Sequence, residues 1–319
     1  MGSFLIFHLK ISIFAALESS FKKLQYNFCC VFLTIMTPEL QLTYIFHSGF
    51  ALKTEQCILI FDYWMDPARL MPQILADERP LYVFASHFHE DHYSRRIQDW
   101  RKTKENITYI LSKDILRHHR AEQDAADVWM VKGQTWEDDH IKVVATGSND
   151  SGVSWIVELK DTLLIYKDKG SYPYRIFHAG DLNNWYARFL TDDGKIPEKI
   201  ISEEFGEINP LAEEKQYLGE LKDIRRILNE KATPRTVVQD FDLVMFPVDG
   251  RIGNGYTRGG RQFIDRFTVG QFVPMHFVAS GFESSWRFKE FANEKDIPFW
   301  EITKEGDVKN LYPTFWHKK

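Results

Sequence analysis

From Leu40 onward the chain alternates between short apolar runs and polar punctuation, and the runs have the length of strands. Residues 40–46 alternate roughly and are rich in β-formers, His47-Ser48-Gly49 reads as a turn, and Phe50-Ala51-Leu52 follows. Residues 57–61 are continuously apolar and stop at Asp62, a pattern that suits a strand buried on both faces. Further runs at 81–85, 107–111, 128–131, 141–146, 153–159 and 162–166 continue the series. Together they predict strand upon strand, an antiparallel meander at first, with a hairpin at Lys160-Asp161 and a polar loop over 167–174. That order argues for sheets rather than for βαβ repeats.

The second half changes period. Leu211, Tyr217, Leu218, Leu221, Ile224, Ile227 and Leu228 recur at helical spacing with charges between them, predicting a core-facing helix over 211–231. Strands are expected at 242–247, 271–277 and 298–302, and helices at 258–267 and 284–295. Short helices are expected within 66–75, at 95–100 and from Asp114, where Ser112 can cap free backbone N–H groups. A β-rich half followed by a helix-and-strand half would suit two similar halves packed face to face.

The chemistry concentrates in Ser86-His87-Phe88-His89-Glu90-Asp91-His92, immediately after the apolar run at 81–85. Imidazole nitrogen and carboxylate oxygen are the ligands of a borderline cation such as Zn²⁺ in a site kept open for catalysis. In an extended segment His87 and His89 share a face, while Asp91 and His92 follow where the chain turns and can diverge toward a second ion. The alternative, a solvated polar strand end, explains the density of ligand types poorly.

His87-x-His89-x-Asp91-His92 resembles the signature of the metallo-β-lactamase-fold hydrolases, and the resemblance covers about residues 40–302. It implies an α+β fold, a four-layer αβ/βα sandwich of two mixed sheets flanked by helices, with a dinuclear site between the sheets. On that resemblance one ion takes His87, His89 and a third ligand, the other takes Asp91, His92 and His276, and Asp181 bridges them. The family places a histidine after Thr146; this chain has Gly147-Ser148-Asn149-Asp150-Ser151-Gly152 instead. Asp150 is the expected third ligand, with Ser148 and Asn149 weaker ones and His140 still open. An oxygen donor there makes the site harder, so Mn²⁺ or Fe²⁺ stand beside Zn²⁺ as candidates for the two divalent ions. The resemblance is nearer to the lactonase-like branch than to the β-lactamases proper.

The expected reaction is hydrolysis of a small ester, lactone or phosphoester by a metal-bound hydroxide, with Asp91 doubling as proton carrier to the leaving group. No Gly-x-Ser-x-Gly elbow and no Gly-x-x-x-x-Gly-Lys loop competes with that reading. Arg251, Tyr256 and Arg258, in a Gly-rich stretch before the last ligand strand, are candidates for holding a substrate anion, since guanidinium pairs bidentately with carboxylate or phosphate. His47, Trp185 and Tyr186 could line the pocket or serve the core.

Composition narrows the partners. The 319 residues are 44% hydrophobic, 27% charged and 15% aromatic, which is globular composition with room for a sizeable core. A net charge of −5 and the absence of a long basic block count against a nuclease of the same fold, the first alternative function. A non-catalytic metal-binding module is the second. A small-molecule substrate is the expected partner; neither nucleic acid nor a membrane is expected, and a homo-oligomer stays open. Cys29, Cys30 and Cys57 do not form an obvious disulfide framework, which favours a reducing, cytoplasmic compartment. Residues 1–36 form an apolar extension interrupted by Lys10, Glu18, Lys22 and Lys23, too broken to span a bilayer. It reads as sequence upstream of a natural start at Met36 or as a membrane-surface helix, ahead of a hydrolase domain over 37–319.

Overall fold

The computed structural model describes residues 40–166, 170–203, 206–235 and 239–311; the expectations for residues 1–36 lie outside them. Two sheets organise this part of the chain. The first holds β1 (Leu40–Phe46), β2 (Gly49–Lys53), β3 (Ile58–Phe61), β4 (Leu81–Ala85), β5 (Ile107–Ser112) and β6 (Val128–Met130) in chain order, with a late strand, β15 (Val308–Leu311), on the outside of β1. The second runs β14 (Phe272–Met275), β13 (Leu243–Pro247), β10 (Gly170–His178), β9 (Val153–Tyr166), β8 (Ile141–Gly147), β7 (Thr135–Glu137). A separate hairpin pairs β11 (Ile200–Ser202) with β12 (Gly206–Ile208). The helices are α1 (Met71–Ala76), α2 (Lys113–Arg117), α3 (Pro210–Lys231), α4 (Arg258–Ile264), α5 (Phe282–Trp286) and α6 (Phe288–Glu294). Both sheets are mixed, so the expected α+β sandwich is the architecture observed.

The period-two pattern of the first sheet divides its side chains between two cores. Leu59, Phe61, Tyr82, Phe84 and Ile110 face the inter-sheet core, while Ile58, Ile60, Leu81, Val83 and Leu111 face a second cluster on the other side. Met71 of α1, Ile97 and Trp100 of the 3₁₀ segment Arg95–Lys102, and Ile115 of α2 close that outer cluster. Along the second sheet α3 lies over β8 and buries Tyr217, Leu221 and Ile224. Each such side chain taken from water contributes about 1.5–3 kcal/mol.

Several boundaries differ from the sequence pattern. No hairpin forms at Lys160-Asp161: β9 continues through, and Pro173 pairs with Leu163 while Tyr174 pairs with Leu159, so residues 160–162 bulge. The bulge is held from outside, since the Lys160 amide donates to the His140 carbonyl at 2.8 Å and the His140 ring pairs with Asp161 at 2.8 Å. The expected loop over 167–174 is strand from Gly170 onward. Beyond β3 the first sheet turns parallel, joined by short crossovers rather than meander turns. The run at 298–302 reduces to a single bridge from Phe299 to Phe272, and the chain's last described strand is β15.

Every segment that carries a candidate ligand leaves the carboxyl end of a strand. His47 follows β1, Asp62 follows β3, residues 86–92 follow β4, residues 148–152 follow β8, Asp181 follows β10, Asp249 follows β13 and His276 follows β14.

Candidate metal centre

Loops at strand ends meet only if their backbones can pack closely, and two glycines allow it here. Gly152 sits at φ +63, and a Cβ on it would lie 2.1 Å from the Ser86 carbonyl oxygen. Gly180 sits at φ +53, with a Cβ position 2.8 Å from the Ser86 Cβ. Both are conformations in which a side chain is strained as well as crowded. Further stitches fix the loops: the Val153 amide donates to the Ser86 carbonyl at 3.0 Å, and the His276 amide donates to the His47 carbonyl at 3.2 Å.

The loops bring the expected residues into two groups. His87, His89, Asp150 and Asp181 form one; Asp91, His92 and His276 form the other, together with His47. Within each group the donor atoms lie within 4.8 Å of one another. His87 Nε2 is 3.0 Å from His89 Nδ1 and 3.4 Å from Asp181 Oδ2. His92 Nε2 and His276 Nε2 are 2.9 and 3.3 Å from the other oxygen, Asp181 Oδ1. One carboxylate thus presents one oxygen to each group. Asp150 stands at the open rim, its Oδ2 4.0 Å from His89 Nδ1.

The residues fit divalent ions by a specific criterion. His92 Nε2 and His276 Nε2 both crowd the buried Asp181 Oδ1, at 2.9 and 3.3 Å, without the alignment of a good hydrogen bond. Buried polar atoms are almost always paired. Two imidazole nitrogens and a carboxylate oxygen converging on one buried volume are what a cation requires.

Surrounding hydrogen bonds orient these lone pairs. Asp62 is fully buried and accepts from the Ser86 amide at 2.8 Å, from Ser86 Oγ at 2.6 Å and from His92 Nδ1 at 2.6 Å. Ser86 Oγ, having donated to Asp62, accepts from His87 Nδ1 at 2.9 Å. Asp249 takes His276 Nδ1 at 3.0 Å and is itself gripped by the Arg251 guanidinium. These bonds hold a hydrogen on each Nδ1 and aim each Nε2 at the centre, where its lone pair is available to a cation that displaces the proton. Burial alone would raise Asp62, but His178 and His92 outweigh it and hold the carboxyl below the usual range. Burial opposes charge on His276 too, yet Asp181 and Asp249 push it up to about 9. Desolvation pushes His47 the other way, down to about 4. Asp150, at the rim, is raised by partial desolvation and by the facing Asp181 carboxylate.

The remaining candidates separate. Arg251 is half exposed beside His276, its Nη2 3.3 Å from His276 Nδ1. Arg258 is bound to Glu214 at 2.7 and 2.9 Å, and the Tyr256 hydroxyl donates to the Ser284 carbonyl at 2.9 Å, so both polar ends are committed to the frame. Trp185 reaches the centre, its ring 5.2 Å from His276 and its Nε1 donating to the Asp181 carbonyl at 2.8 Å; Tyr186 packs on Phe189 instead. His140 pairs with Asp161 and stands outside both groups. Asn149 braces the loop, bonded reciprocally to the Asn183 backbone at 2.8 and 3.2 Å, and Ser148 Oγ accepts from the Asp150 amide. Asp62 and Asp249 went unrecognised as sequence; their signal was an acid directly or two residues beyond an apolar strand.

No protein-family profile and no curated protein sequence matches the chain. Solved structures do. Igni18, a metallo hydrolase from the archaeon Ignicoccus hospitalis, superposes with a TM-score of 0.51 at 13% identity, over 85% of this chain and 98% of that one. The metallo-beta-lactamase fold protein YhfI from Bacillus subtilis gives 0.51 at 12% identity, over 86% and 99%. CmlA, a diiron beta-hydroxylase from Streptomyces venezuelae, gives 0.50 at 11% identity, over 86% of this chain and 54% of that one. With two mixed sheets and ligand-type side chains gathered at their strand ends, this chain has the metallo-β-lactamase fold.

Proposed function

We propose that the protein is a metal-dependent hydrolase of a small ester, lactone or phosphoester. The observation that carries the reading is Asp181, whose two oxygens face two separate groups of imidazoles and carboxylates. His87, His89 and Asp150 would hold one ion and Asp91, His92 and His276 the other, with Asp181 shared. Zinc fits the imidazoles; two carboxylates beside His87 and His89 also suit manganese or iron. Bound divalent ions lower the pKa of water toward about 7 and polarise a scissile carbonyl or phosphoryl oxygen.

The chain's own groups do the rest. Burial would raise Asp91, but His47 and His92 hold it below the usual carboxylate range, so it is ionised at neutral pH, as a cation ligand must be, and is correspondingly a weak base toward the leaving group. Arg251, half exposed at the rim, is the group best placed to meet an anionic substrate. Trp185 and Trp64 wall the centre with apolar surface beside His276 and His47. The protein's acidic charge disfavours a polynucleotide substrate. Within the described residues no helix is long and apolar enough to cross a membrane, and Cys57 is a buried free thiol; a cytoplasmic setting is our reading of the cysteine usage.

Elemental analysis of purified protein, run beside a panel of lactones, carboxylic esters and phosphodiesters, tests the reading. Lactones head the panel because the sequence resembles the lactonase-like branch. His89→Ala should abolish hydrolysis and lower metal content; unchanged metal in that variant would refute the ligand assignment.

A further inference from the structure

His47 carries more than its place in the β1–β2 turn explains. Its side chain is buried, Nδ1 has no hydrogen-bond partner, and Nε2 meets only the Asp91 carboxylate. A buried imidazole nitrogen without a partner is costly, and an imidazole facing a carboxylate is what a cation between them would satisfy. Nε2 lies 3.2 Å from Asp91 Oδ2, and the ring centroid is 4.0 Å from that of His276 and 5.9 Å from that of His92. His47 therefore faces three residues already grouped at the deeper half of the centre. Its backbone is built for this: φ is +56, a region that non-glycine residues rarely adopt. Tyr44 Oη accepts the His47 amide at 2.8 Å, and the His47 carbonyl accepts the His276 amide at 3.2 Å. The bonds that hold the strained residue are the same ones that tie it to the His276 strand end.

We infer that His47 is a direct metal ligand, completing with Asp91, His92 and His276, and with Asp181 shared, a five-donor cage for the deeper ion. The inference rests on the metal-site reading above and sharpens it. Five protein donors leave the deeper ion no open position, whereas sites that do chemistry keep one open. The group of His87, His89, Asp150 and Asp181 is the open one, since the His89 and Asp150 side chains are 42% and 39% exposed. The deeper ion is then the tightly held one, and the outer ion is the one that meets substrate and exchanges first.

Titration of metal-free protein with Co²⁺ against a competing chelator tests this, with the cobalt absorption spectrum as second readout. Wild-type protein should bind two ions of unequal affinity. In His47→Ala the tighter constant should weaken more than about 100-fold, beyond the roughly 10–100-fold that loss of a merely orienting partner costs, and the visible bands should change. Asp249→Asn, which removes such a partner from His276, calibrates that range in this protein. His47→Gln, closer in size, is read by the same criteria should the alanine variant not fold. A smaller loss, or an unchanged spectrum, overturns the assignment and leaves His47 a packing residue. Wild-type protein that binds no cobalt refutes the metal-site reading itself and not the part played by His47.

Discussion

Asp62→Asn tests how the centre is oriented. Asparagine is the same shape and tolerates the left-handed region about as well as aspartate, so the φ of +42 at this position is not the variable. What changes is the acceptor count. Asp62 Oδ1 accepts from the Ser86 amide, and Oδ2 accepts from both Ser86 Oγ and His92 Nδ1. An amide offers one oxygen and one NH₂, so in either flip a donor meets a donor inside a fully buried pocket. A hydrogen bond to a charged group contributes about 1.5–3 kcal/mol, and an orphaned buried donor costs about 1–3 kcal/mol. His92 escapes the clash by moving its hydrogen from Nδ1 to Nε2, which then points at Asp181 Oδ1 and loses its lone pair for a metal. The structure thus predicts two coupled losses: a lower melting temperature, and metal affinity down by about 10–100-fold. Thermal unfolding of metal-free protein reads the first, and competitive metal titration the second. Wild-type affinity in Asp62→Asn would show that Asp62 does not set the His92 tautomer.

Other expectations follow from separate parts of the molecule. Gly152→Ala should destabilise well beyond the roughly 1–2 kcal/mol of a left-handed alanine, because its Cβ meets the Ser86 carbonyl at 2.1 Å; Gly133→Ala, at φ +85 with nothing within 4 Å, is the control, and equal unfolding midpoints for the two would contradict the packing argument. Arg175→Met leaves the buried Glu158 carboxylate without its guanidinium partner at 2.6 Å, and should cost about 3–5 kcal/mol in denaturant unfolding while leaving metal content unchanged. Metal-free protein should lose stability as pH rises: His276 is raised from 6.5 to about 9, so its contribution is complete below 6.5 and gone once pH passes 9. Metal competes with that proton, so melting curves with and without a chelator should diverge as pH climbs through this window, and parallel curves would argue against His276 as a shared site.

The centre was legible in sequence where several ligand types crowd one stretch or sit on a patterned strand end. The 87–92 cluster, Asp181 behind a glycine and His276 at the end of an apolar run all meet in the structure. Asp150 is expected from position alone, in the loop that lacks a histidine, and its Oδ2 lies 4.0 Å from His89 Nδ1. His47 was visible but ambiguous, since one histidine in a turn has no partner until the end of β1 meets the end of β14. Asp62 and Asp249 were harder still, because an acid after a strand is common and its partner, His92 or His276, lies far along the chain. For the fold, period-two runs located the strands well, but pairing is a tertiary property. Lys160-Asp161 looks like a turn and is a bulge because His140 and Asp138 hold it from the neighbouring segment. Val308–Leu311 is too short and polar to stand out, and becomes a strand by pairing with β1.

Strain and placement together argue that the centre is what this fold is built around. Among the described residues six non-glycine positions have positive φ, and three of them are His47, Asp62 and His276. Each sits one residue past a strand, where an extended backbone would carry the side chain onward and a left-handed one turns it across the strand end. Such conformations cost of order 1–3 kcal/mol each and persist only where surrounding contacts over-determine them. Here those contacts are visible: Tyr44 and the His276 amide hold His47, and the Asp62 amide donates to the Phe84 carbonyl at 2.9 Å. A sandwich needing only stability could relax these turns with glycine. Histidine and aspartate in that conformation place nitrogen and oxygen toward one volume from both sheets, so the local instability is tied to ligand geometry rather than to the core.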